Sequence, residues 1–440
     1  MMEKSAPTQE TRSIEIFIKP EQRRSYFNLP FTMPENVDSF TLAYHYDRSS
    51  TSDSEGGFTD SRRVNTIDLG LIAPDGSQAG ASGSDKSEIS IGPTSATPGY
   101  NAVPLEAGEW QIMVGAYKIA SEGVRVTYDL TFTFKQPRWL RGDFHTHTIA
   151  SDGVLTAGEL GIHALRHGLD FLAITDHNQF VSAAQLPQIP GLTLIQGVEW
   201  THYEGHANFL GVDRPYNEPF PTSTPAETLS RFTSARQRGA LIVINHPFDE
   251  GSGFNFDFHT LPFDCLEIWN GPMRESNLQA VGMWRSLQAA GQKIPIVGGS
   301  DYHRDNLFQI LGGPTTCVYS SSASAADILS ALREGHAYLV YAPAGPSLEF
   351  KAGDAMMGDS VAWSPGVEMQ IALDGLQPGD RVNLVTGNGS QSLLIAPSTG
   401  SFLTTAFMTA PGFAYIEVQR VFLPGIPPLI ALISNPIYFD

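Results

Sequence analysis

The spacing of apolar residues divides the chain into three parts, and the first reads as β-structure. Apolar and polar residues alternate through most of residues 12–135, for example from Phe40 to Tyr46 and from Val124 to Phe134. A period of two is typical of strands with one buried face. Turn-rich stretches, such as Ser49–Gly57 and Ser77–Lys86, separate these runs. The pattern predicts an N-terminal β-sandwich over residues 1–137.

Residues 138–345 alternate continuous apolar runs with helical segments. Capping-box patterns at Thr156–Glu159 and Thr224–Glu227 predict two helix starts. The predicted strands are Gly142–His147, Phe171–Thr175, Leu192–Val198, Ala207–Val212, Leu241–Asn245, Cys265–Trp269, Ile294–Gly298 and Thr316–Tyr319. Continuous apolar strands that alternate with helices favour a parallel sheet, most economically a barrel.

The last part, residues 346–440, returns to alternating apolar positions. Turn sequences at Gln377–Asp380 and Gly387–Gly389 are typical of hairpins. These features predict a small C-terminal β domain. Neither flanking domain carries a cluster of titratable residues, so we expect both to serve structure or substrate access.

Composition and charge exclude several functional classes. The chain has 27 basic and 46 acidic residues, a net charge of −19, which disfavours long nucleic acids and anionic membranes as partners. The longest apolar run, Val421–Ile433, is broken by prolines and is too short to span a bilayer. The N-terminus has no apolar segment of the kind found in signal peptides. We therefore expect a cytoplasmic protein with a small-molecule substrate, and we expect Cys265 and Cys317 to be buried and unpaired.

Nine potential metal ligands lie in short clusters in the middle part, and most of these clusters follow or end a predicted strand. They are His145, His147, Asp152, His177, Glu199, His206, His246, Asp301 and His303. A single histidine at a strand end is more often a hydrogen-bonded residue than a ligand. However, burying this many imidazoles and carboxylates together without a cation would carry a heavy desolvation cost. We predict two to three divalent ions, with Zn, Mn and Fe all compatible with these ligands.

The positions of three side chains predict roles in metal bridging, ligand orientation and anion binding. Glu199 ends an apolar run, where its carboxylate could bridge two metals, and Asp176 is placed to orient an imidazole. Arg274 follows the Cys265–Trp269 strand and could clamp an anionic group or form a surface salt bridge. Glu199, Asp301 and Arg274 are the predicted catalytic residues.

Six motifs in this part, taken in order, resemble the PHP (polymerase and histidinol phosphatase) family of metal-dependent hydrolases. They are His-Thr-His-Thr with Ser-Asp-Gly, Thr-Asp-His, Gly-Val-Glu, Gly-His, Asn-His-Pro and Gly-Ser-Asp-Tyr-His, within residues 140–340. The resemblance implies a distorted (β/α)7 TIM-like barrel with a trinuclear metal centre. It implies one ion held by His145, His147, Glu199 and Asp301, a second by Glu199, His206 and His246, and a third by Asp152, His177 and His303.

Different features of the chain resemble two different branches of that family. Asp152 stands where some branches have histidine, and an aspartate at this position resembles the phosphoesterase-like branch. The β-rich flanks and the closing segment Ser434–Tyr438 resemble the carbaryl-hydrolase-like branch.

A multinuclear centre implies hydrolysis, because metal coordination lowers the pKa of water to about neutral and supplies hydroxide. We therefore expect a phosphoesterase that uses a metal-bound hydroxide on a small-molecule or nucleotide phosphate ester. Carboxylic ester or carbamate hydrolysis by the same centre is the alternative. A binding protein with a structural metal is a third hypothesis, although structural sites are usually closed by protein ligands.

Overall fold

The computed structural model describes residues 8–53 and 59–440, and the chain divides after Gln136 into two compact units. The described part of the first unit contains ten strands and a short 3-10 helix, Pro20–Gln22. The strands are β1 (Gln9–Ile18), β2 (Tyr26–Met33), β3 (Val37–Tyr46), β4 (Ser49–Asp53), β5 (Thr59–Arg63), β6 (Thr66–Ile72), β7 (Gln78–Ser82), β8 (Glu88–Ile91), β9 (Gly108–Lys118) and β10 (Val124–Phe134).

The first unit has the sandwich arrangement that its alternating pattern predicts. Two antiparallel sheets, ordered β1-β10-β3-β8 and β2-β9-β6-β7, share one apolar core. Phe31 of the second sheet stacks on Phe40 of the first at 5.2 Å between ring centroids. The alternation buries one face of each sheet and leaves the other polar.

Within residues 137–440, all described, the second unit is a mixed α/β structure with nineteen strands and four α-helices. The helices are α1 (Ala157–Arg166), α2 (Pro225–Gln237), α3 (Glu275–Ala289) and α4 (Ala325–Arg333), and a 3-10 helix spans Ala183–Gln185. The strands are β11 (Arg138–Asp143), β12 (Phe171–Ile174), β13 (Thr193–His202), β14 (Gly205–Leu210), β15 (Leu241–Ile244), β16 (Cys265–Asn270), β17 (Ile296–Gly299), β18 (Thr315–Ser320), β19 (Ala337–Val340), β20 (Ser347–Ala352), β21 (Ala355–Met356), β22 (Ser360–Val361), β23 (Val367–Leu376), β24 (Arg381–Thr386), β25 (Gly389–Ile395), β26 (Gly400–Met408), β27 (Gly412–Arg420), β28 (Leu429–Ser434) and β29 (Ile437–Phe439).

Fifteen of these strands belong to one sheet, whose main path runs β17-β16-β15-β14-β13-β12-β11-β18-β19-β28-β27-β24-β25. The sheet passes from the middle part of the chain into its C-terminal part through the pairing of β19 with β28. Four further strands form a second sheet, β21-β20-β23-β26. Both sheets contribute to an apolar core that includes Cys317 and Tyr338. Both cysteines are buried and unpaired, as predicted.

The expectation of a purely parallel sheet is wrong. Strands β11, β12 and β13 are parallel, as are β15, β16 and β17, but β14 runs antiparallel to both of its neighbours. Only Tyr203 and Glu204 separate β13 from β14, and so short a connection can only form a hairpin. The antiparallel insertion returns β15 to the direction of β13.

Six strands therefore point their carboxyl ends at one edge of the sheet. At this edge, the Ser300 backbone N–H donates to Asp143 Oδ1 at 3.0 Å, which joins the end of β17 to the end of β11. Thr316 of β18 bonds both the N–H and the carbonyl of Gly298 in β17. The sheet thus curls, and the ends of β11 and β17 meet.

Both helix starts that the capping-box patterns predict are confirmed, at Thr156 and Thr224. Thr156 caps α1 with a reciprocal bond from Glu159, as its capping box predicts. Thr224 also caps α2, but the Glu227 carboxylate accepts from the backbone of Ser223 instead of Thr224. Among the described residues, no α-helix combines the length and apolar character needed to cross a lipid bilayer.

Candidate metal centre

The Glu199 carboxylate lies at the centre of a cluster of imidazoles. Its side chain is fully buried in β13, near the carboxyl edge of the sheet. The closest imidazole nitrogens lie between 2.7 and 3.6 Å from its two oxygens and belong to His145, His147, His177, His206 and His246. The Asn245 side-chain amide donates to Glu199 Oε1 at 2.9 Å. One carboxylate thus contacts side chains from four separate segments of the chain.

The nine predicted ligands all meet at this edge. Their donor atoms form four overlapping groups, within each of which the atoms lie within 4.8 Å of one another. These groups are His147-Asp152-His177-His303, His145-His246-Asp301, His145-His147-Glu199 and Glu199-His206-His246. Imidazole nitrogens and carboxylate oxygens at such spacing are the usual ligands of divalent transition metals.

Unsatisfied polar atoms provide a separate test of whether a cation fits. Buried side-chain atoms without a hydrogen bond include His145 Nε2, both ring nitrogens of His147, Glu199 Oε2, His246 Nδ1 and Asp301 Oδ1. Leaving one such atom unpaired costs about 1–3 kcal/mol. Their concentration in one place is explained if a cation accepts their lone pairs, so the residues fit a divalent metal site.

The charges within the cluster also fit a divalent metal site. Burial opposes ionisation of Glu199, but the surrounding imidazoles, His145 first, hold the pKa of its carboxyl well below the ordinary range. Burial likewise opposes ionisation of Asp301, but His145 and His147 lower the pKa of its carboxyl strongly. Burial alone would lower the pKa of His246, but the nearby Glu199 carboxylate raises it to about 9. Without a cation, protons on His145, His177 and His246, whose pKa values the nearby carboxylates raise, offset the carboxylate charge, and a bound metal would displace these protons.

One side of the cluster is open and the other is closed. His145, His147, Glu199 and His246 form a buried floor. The Asp152 side chain is 57% exposed, and those of His177 and His303 are 27% and 24% exposed. A closed floor with an open side is the arrangement of catalytic metal sites, which keep a position for water or substrate.

Two candidate ligands have a strained backbone. His246 and Asp301 have φ angles of +24° and +51°, in the left-handed region that residues with a side chain rarely adopt. Such conformations cost about 1–3 kcal/mol each and persist only where neighbouring groups hold them. Here the His246 N–H donates to Glu267, and the Gln309 amide donates to the Asp301 carbonyl. This strain turns both side chains inward just beyond their strands.

The predicted role of Asp176 is wrong. Its carboxylate accepts hydrogen bonds from the Thr148 N–H, the Thr148 hydroxyl and the Ser151 hydroxyl, at 2.7–2.8 Å. It therefore fixes the loop that carries Asp152 and does not orient an imidazole. The His177 ring instead meets the Thr201 hydroxyl at 2.7 Å. The predicted strand Gly142–His147 also ends earlier, at Asp143, so that His145 and His147 lie just beyond it.

The sequence analysis missed two buried carboxylates beneath the ligands. Asp143 accepts from the N–H groups of His145, Ser300 and Gly312, and burial raises its pKa to about 6 despite these donors. Glu267 contacts the His145 ring at 3.0 Å. Glu267 stands within the apolar run Cys265–Trp269, and a carboxylate in such a run is the signal that could have identified it, whereas Asp143 ends a strand that also carries Arg138 and Arg141 and gives no such signal.

Arg274 lies beside the centre, and its charge is already compensated. Its guanidinium donates to Asp249 at 2.6 Å and to Asn270 at 3.1 Å, and its side chain is 46% exposed. Asn270 in turn donates to Asp301 at 3.4 Å. An anionic substrate group would have to compete with Asp249 for the charge of this residue.

Chelator-treated protein should lose stability as the pH rises from about 6.5 to about 9. The folded state holds a proton on His246 up to a pKa of about 9, whereas the unfolded state loses it near 6.5. This stabilisation is complete below pH 6.5 and falls by about 1.4 kcal/mol per pH unit for one such imidazole. Thermal melts across this range measure the decline. Zn²⁺-loaded protein is the control and should not show it, and a flat or rising midpoint without metal would contradict the assignment.

Glu199→Gln should remove at least one equivalent of bound metal, because the central side chain keeps its shape but loses its negative charge. Metal analysis after loading and desalting measures the loss. Glu417→Gln is the matched control, since Glu417 is also a buried carboxylate but pairs with Arg285. Equal metal content in both variants would remove Glu199 from the centre.

No protein-family model matches the chain, and no curated protein matches it. Three solved structures are similar to parts of it. A two-domain protein from Bacteroides vulgatus, containing a predicted PHP-like metal-dependent phosphoesterase, is 17% identical with a TM-score of 0.39, and the match covers 67% of this chain and 95% of that one. A candidate metal-dependent phosphoesterase from Bifidobacterium adolescentis is 18% identical with a TM-score of 0.29, over 39% of this chain and 90% of that one. An amidohydrolase from Chromobacterium violaceum, with bound sulfate and no metal, is 17% identical with a TM-score of 0.27, over 38% and 89% of the two chains. None of these likenesses is strong enough to assign a family or an activity.

Proposed function

We propose that this protein is a metal-dependent hydrolase that cleaves phosphate esters of small molecules or nucleotides. The observation that carries the proposal is the convergence of nine imidazole and carboxylate ligands, several with unsatisfied buried atoms, around Glu199. Histidine and carboxylate ligands with one open side suit hydrolytic catalysis better than a purely structural site.

The ligand groups support two to three divalent ions, with Zn, Mn or Fe as the candidates. Glu199, His206 and His246 form one group, which equals the set that the resemblance to the PHP family implies. Asp152, His177 and His303 form another together with His147. Glu199 belongs to two groups, as a bridging carboxylate would. The remaining ligands, His145 and Asp301, complete the floor of the site.

We interpret the curled sheet of the second unit as a distorted (β/α)7 barrel of the PHP type. Six strands with a common direction and the contact between β17 and β18 support this interpretation. The order of the six motifs along the chain supports the PHP assignment. The carbaryl-hydrolase-like branch stays a prediction from the flanking β-structure.

Bound divalent cations would lower the pKa of water to about 7 and offset charge that develops on phosphoryl oxygens. The protein side chains hold the ligand atoms at fixed positions and close the floor of the site to solvent. Substrate would enter on the side of Asp152, His177 and His303, where the cluster is exposed. The net charge of −19 favours small anions over long nucleic acids or anionic membranes, and we retain a cytoplasmic location as an expectation.

Carboxylic ester or carbamate hydrolysis by the same centre is the second candidate. The ion pair between Arg274 and Asp249 favours it, because a compensated guanidinium attracts a phosphate less than a free one does. An uncharged ester would need no such cation.

We expect the metal-loaded protein to hydrolyse p-nitrophenyl phosphate or bis-p-nitrophenyl phosphate. A chelator should abolish the activity, and Mn²⁺ or Zn²⁺ should restore it. Naphthyl acetate and a naphthyl carbamate are tested in parallel under the same metal loading. Cleavage of these esters without cleavage of either phosphate would replace the leading proposal with the second candidate.

Arg274→Ala should lower kcat/KM for phosphate substrates by about tenfold or more if Arg274 exchanges Asp249 for the substrate anion. Metal content should stay unchanged, because Arg274 contacts the centre only through Asn270. Arg236→Ala is the control, since Arg236 also pairs with an aspartate, Asp264, at 3.0 Å, and its side chain is 44% exposed. Unchanged kinetics for Arg274→Ala would make the ion pair with Asp249 purely structural.

A further inference from the structure

Glu267 lies directly beneath the metal centre and has no contact with solvent. It stands in β16 between Leu266 and Ile268, with its side chain fully buried. Glu267 Oε1 lies 3.0 Å from His145 Nδ1. Glu267 Oε2 accepts from the His246 N–H at 2.9 Å and from the Asn270 amide at 3.3 Å. Protein donors therefore occupy both oxygens, and Glu267 belongs to none of the four ligand groups.

These contacts reach every member of one ligand group, His145, His246 and Asp301. Glu267 touches the ring of His145 and the backbone of His246 directly, and Asn270 bonds both Glu267 and Asp301. The bond to His246 also supports its strained φ angle. One carboxylate thus connects the three ligands from behind.

The contact with His145 determines which ring nitrogen is free. A carboxylate whose other oxygen already accepts two hydrogen bonds acts as an acceptor, so His145 Nδ1 must carry the hydrogen. His145 Nε2 would then offer its lone pair to a bound ion. It faces Glu199 Oε1 at 3.2 Å and Asp301 Oδ1 at 3.4 Å, and it is one of the buried atoms without a hydrogen bond.

The backbone next to β16 leaves room for this contact. A Cβ atom at Gly299 would lie 2.3 Å from the His145 Cβ and 2.8 Å from Glu267 Oε1. Any other residue at position 299 would push the two side chains apart. The glycine of β17 therefore permits the close approach of carboxylate and imidazole.

We propose that Glu267 is a positioning residue that fixes the tautomer and orientation of His145 and adds negative charge behind the ion this ring would bind. The inference rests on the proposed metal-dependent function, although it concerns metal affinity and not the substrate. Carboxylates that hold a ligating imidazole in this way typically strengthen metal affinity by about 10- to 100-fold.

The test compares Zn²⁺ binding to wild type, Glu267→Gln and Glu417→Gln by competition with a chromophoric chelator. Glu267→Gln should weaken at least one Zn²⁺ site by about 10- to 100-fold, and the group formed by His147, Asp152, His177 and His303, which Glu267 does not contact, should keep wild-type affinity. Glu417→Gln, at a buried carboxylate paired with Arg285, should lower thermal stability and leave Zn²⁺ affinity unchanged. Wild-type affinity at every site of a folded Glu267→Gln variant would overturn the inference.

A crystal structure of Zn²⁺-loaded wild-type protein keeps the inference testable if Glu267→Gln does not fold. His145 should bind Zn²⁺ through Nε2, with Nδ1 still in contact with Glu267. Coordination through Nδ1, or a bond from Glu267 to the ion, would overturn the inference. Wild-type protein that binds no Zn²⁺, Mn²⁺ or Fe²⁺ at all would instead overturn the proposed function, so the two failures are distinguishable.

Discussion

The negative charge of Glu199 has no access to water, so the groups around it must compensate that charge. Five imidazoles surround the carboxylate, and either protons on rings such as His145 and His246 or metal ions between the rings and the carboxylate can supply that compensation. The strained backbone at His246 and Asp301 and the buried supports Asp143 and Glu267 maintain this arrangement. Much of the fold near the carboxyl edge of the sheet can be understood as the means of keeping one carboxylate and its partners together.

The sequence predicted the ligands because their signals are local. Most follow or end an apolar run, His206 directly precedes one, and the helix starts carry capping residues such as Thr156, so neither inference requires knowledge of tertiary contacts. The same reasoning failed where a partner lies far along the chain. Asp176 was assigned to an imidazole, but it bonds Thr148 and Ser151 on a loop whose path no local pattern reveals.

The direction of strands was the other limit. An apolar run has the same appearance whether its neighbours are parallel or antiparallel, and the short His202–Gly205 connection was the only indication of a hairpin. This hairpin matters for the site, because it brings His206 next to Glu199, which lies seven residues earlier in the chain. Glu267 escaped notice for a related reason. Its importance depends on contact with His145, which lies 122 positions away in sequence.

The meeting of β11 and β17 has a consequence for how the chain responds to its ions. Two ligands of one group, His147 just beyond β11 and His303 beyond β17, lie at opposite ends of a long segment of the chain. An ion bound by ligands from both ends would act as a reversible cross-link, and its binding free energy would stabilise the folded chain as well as completing the site. Loss of metal would then first weaken the contact between the ends of β11 and β17. Metal binding and the local unfolding of the second unit at this contact would be coupled equilibria.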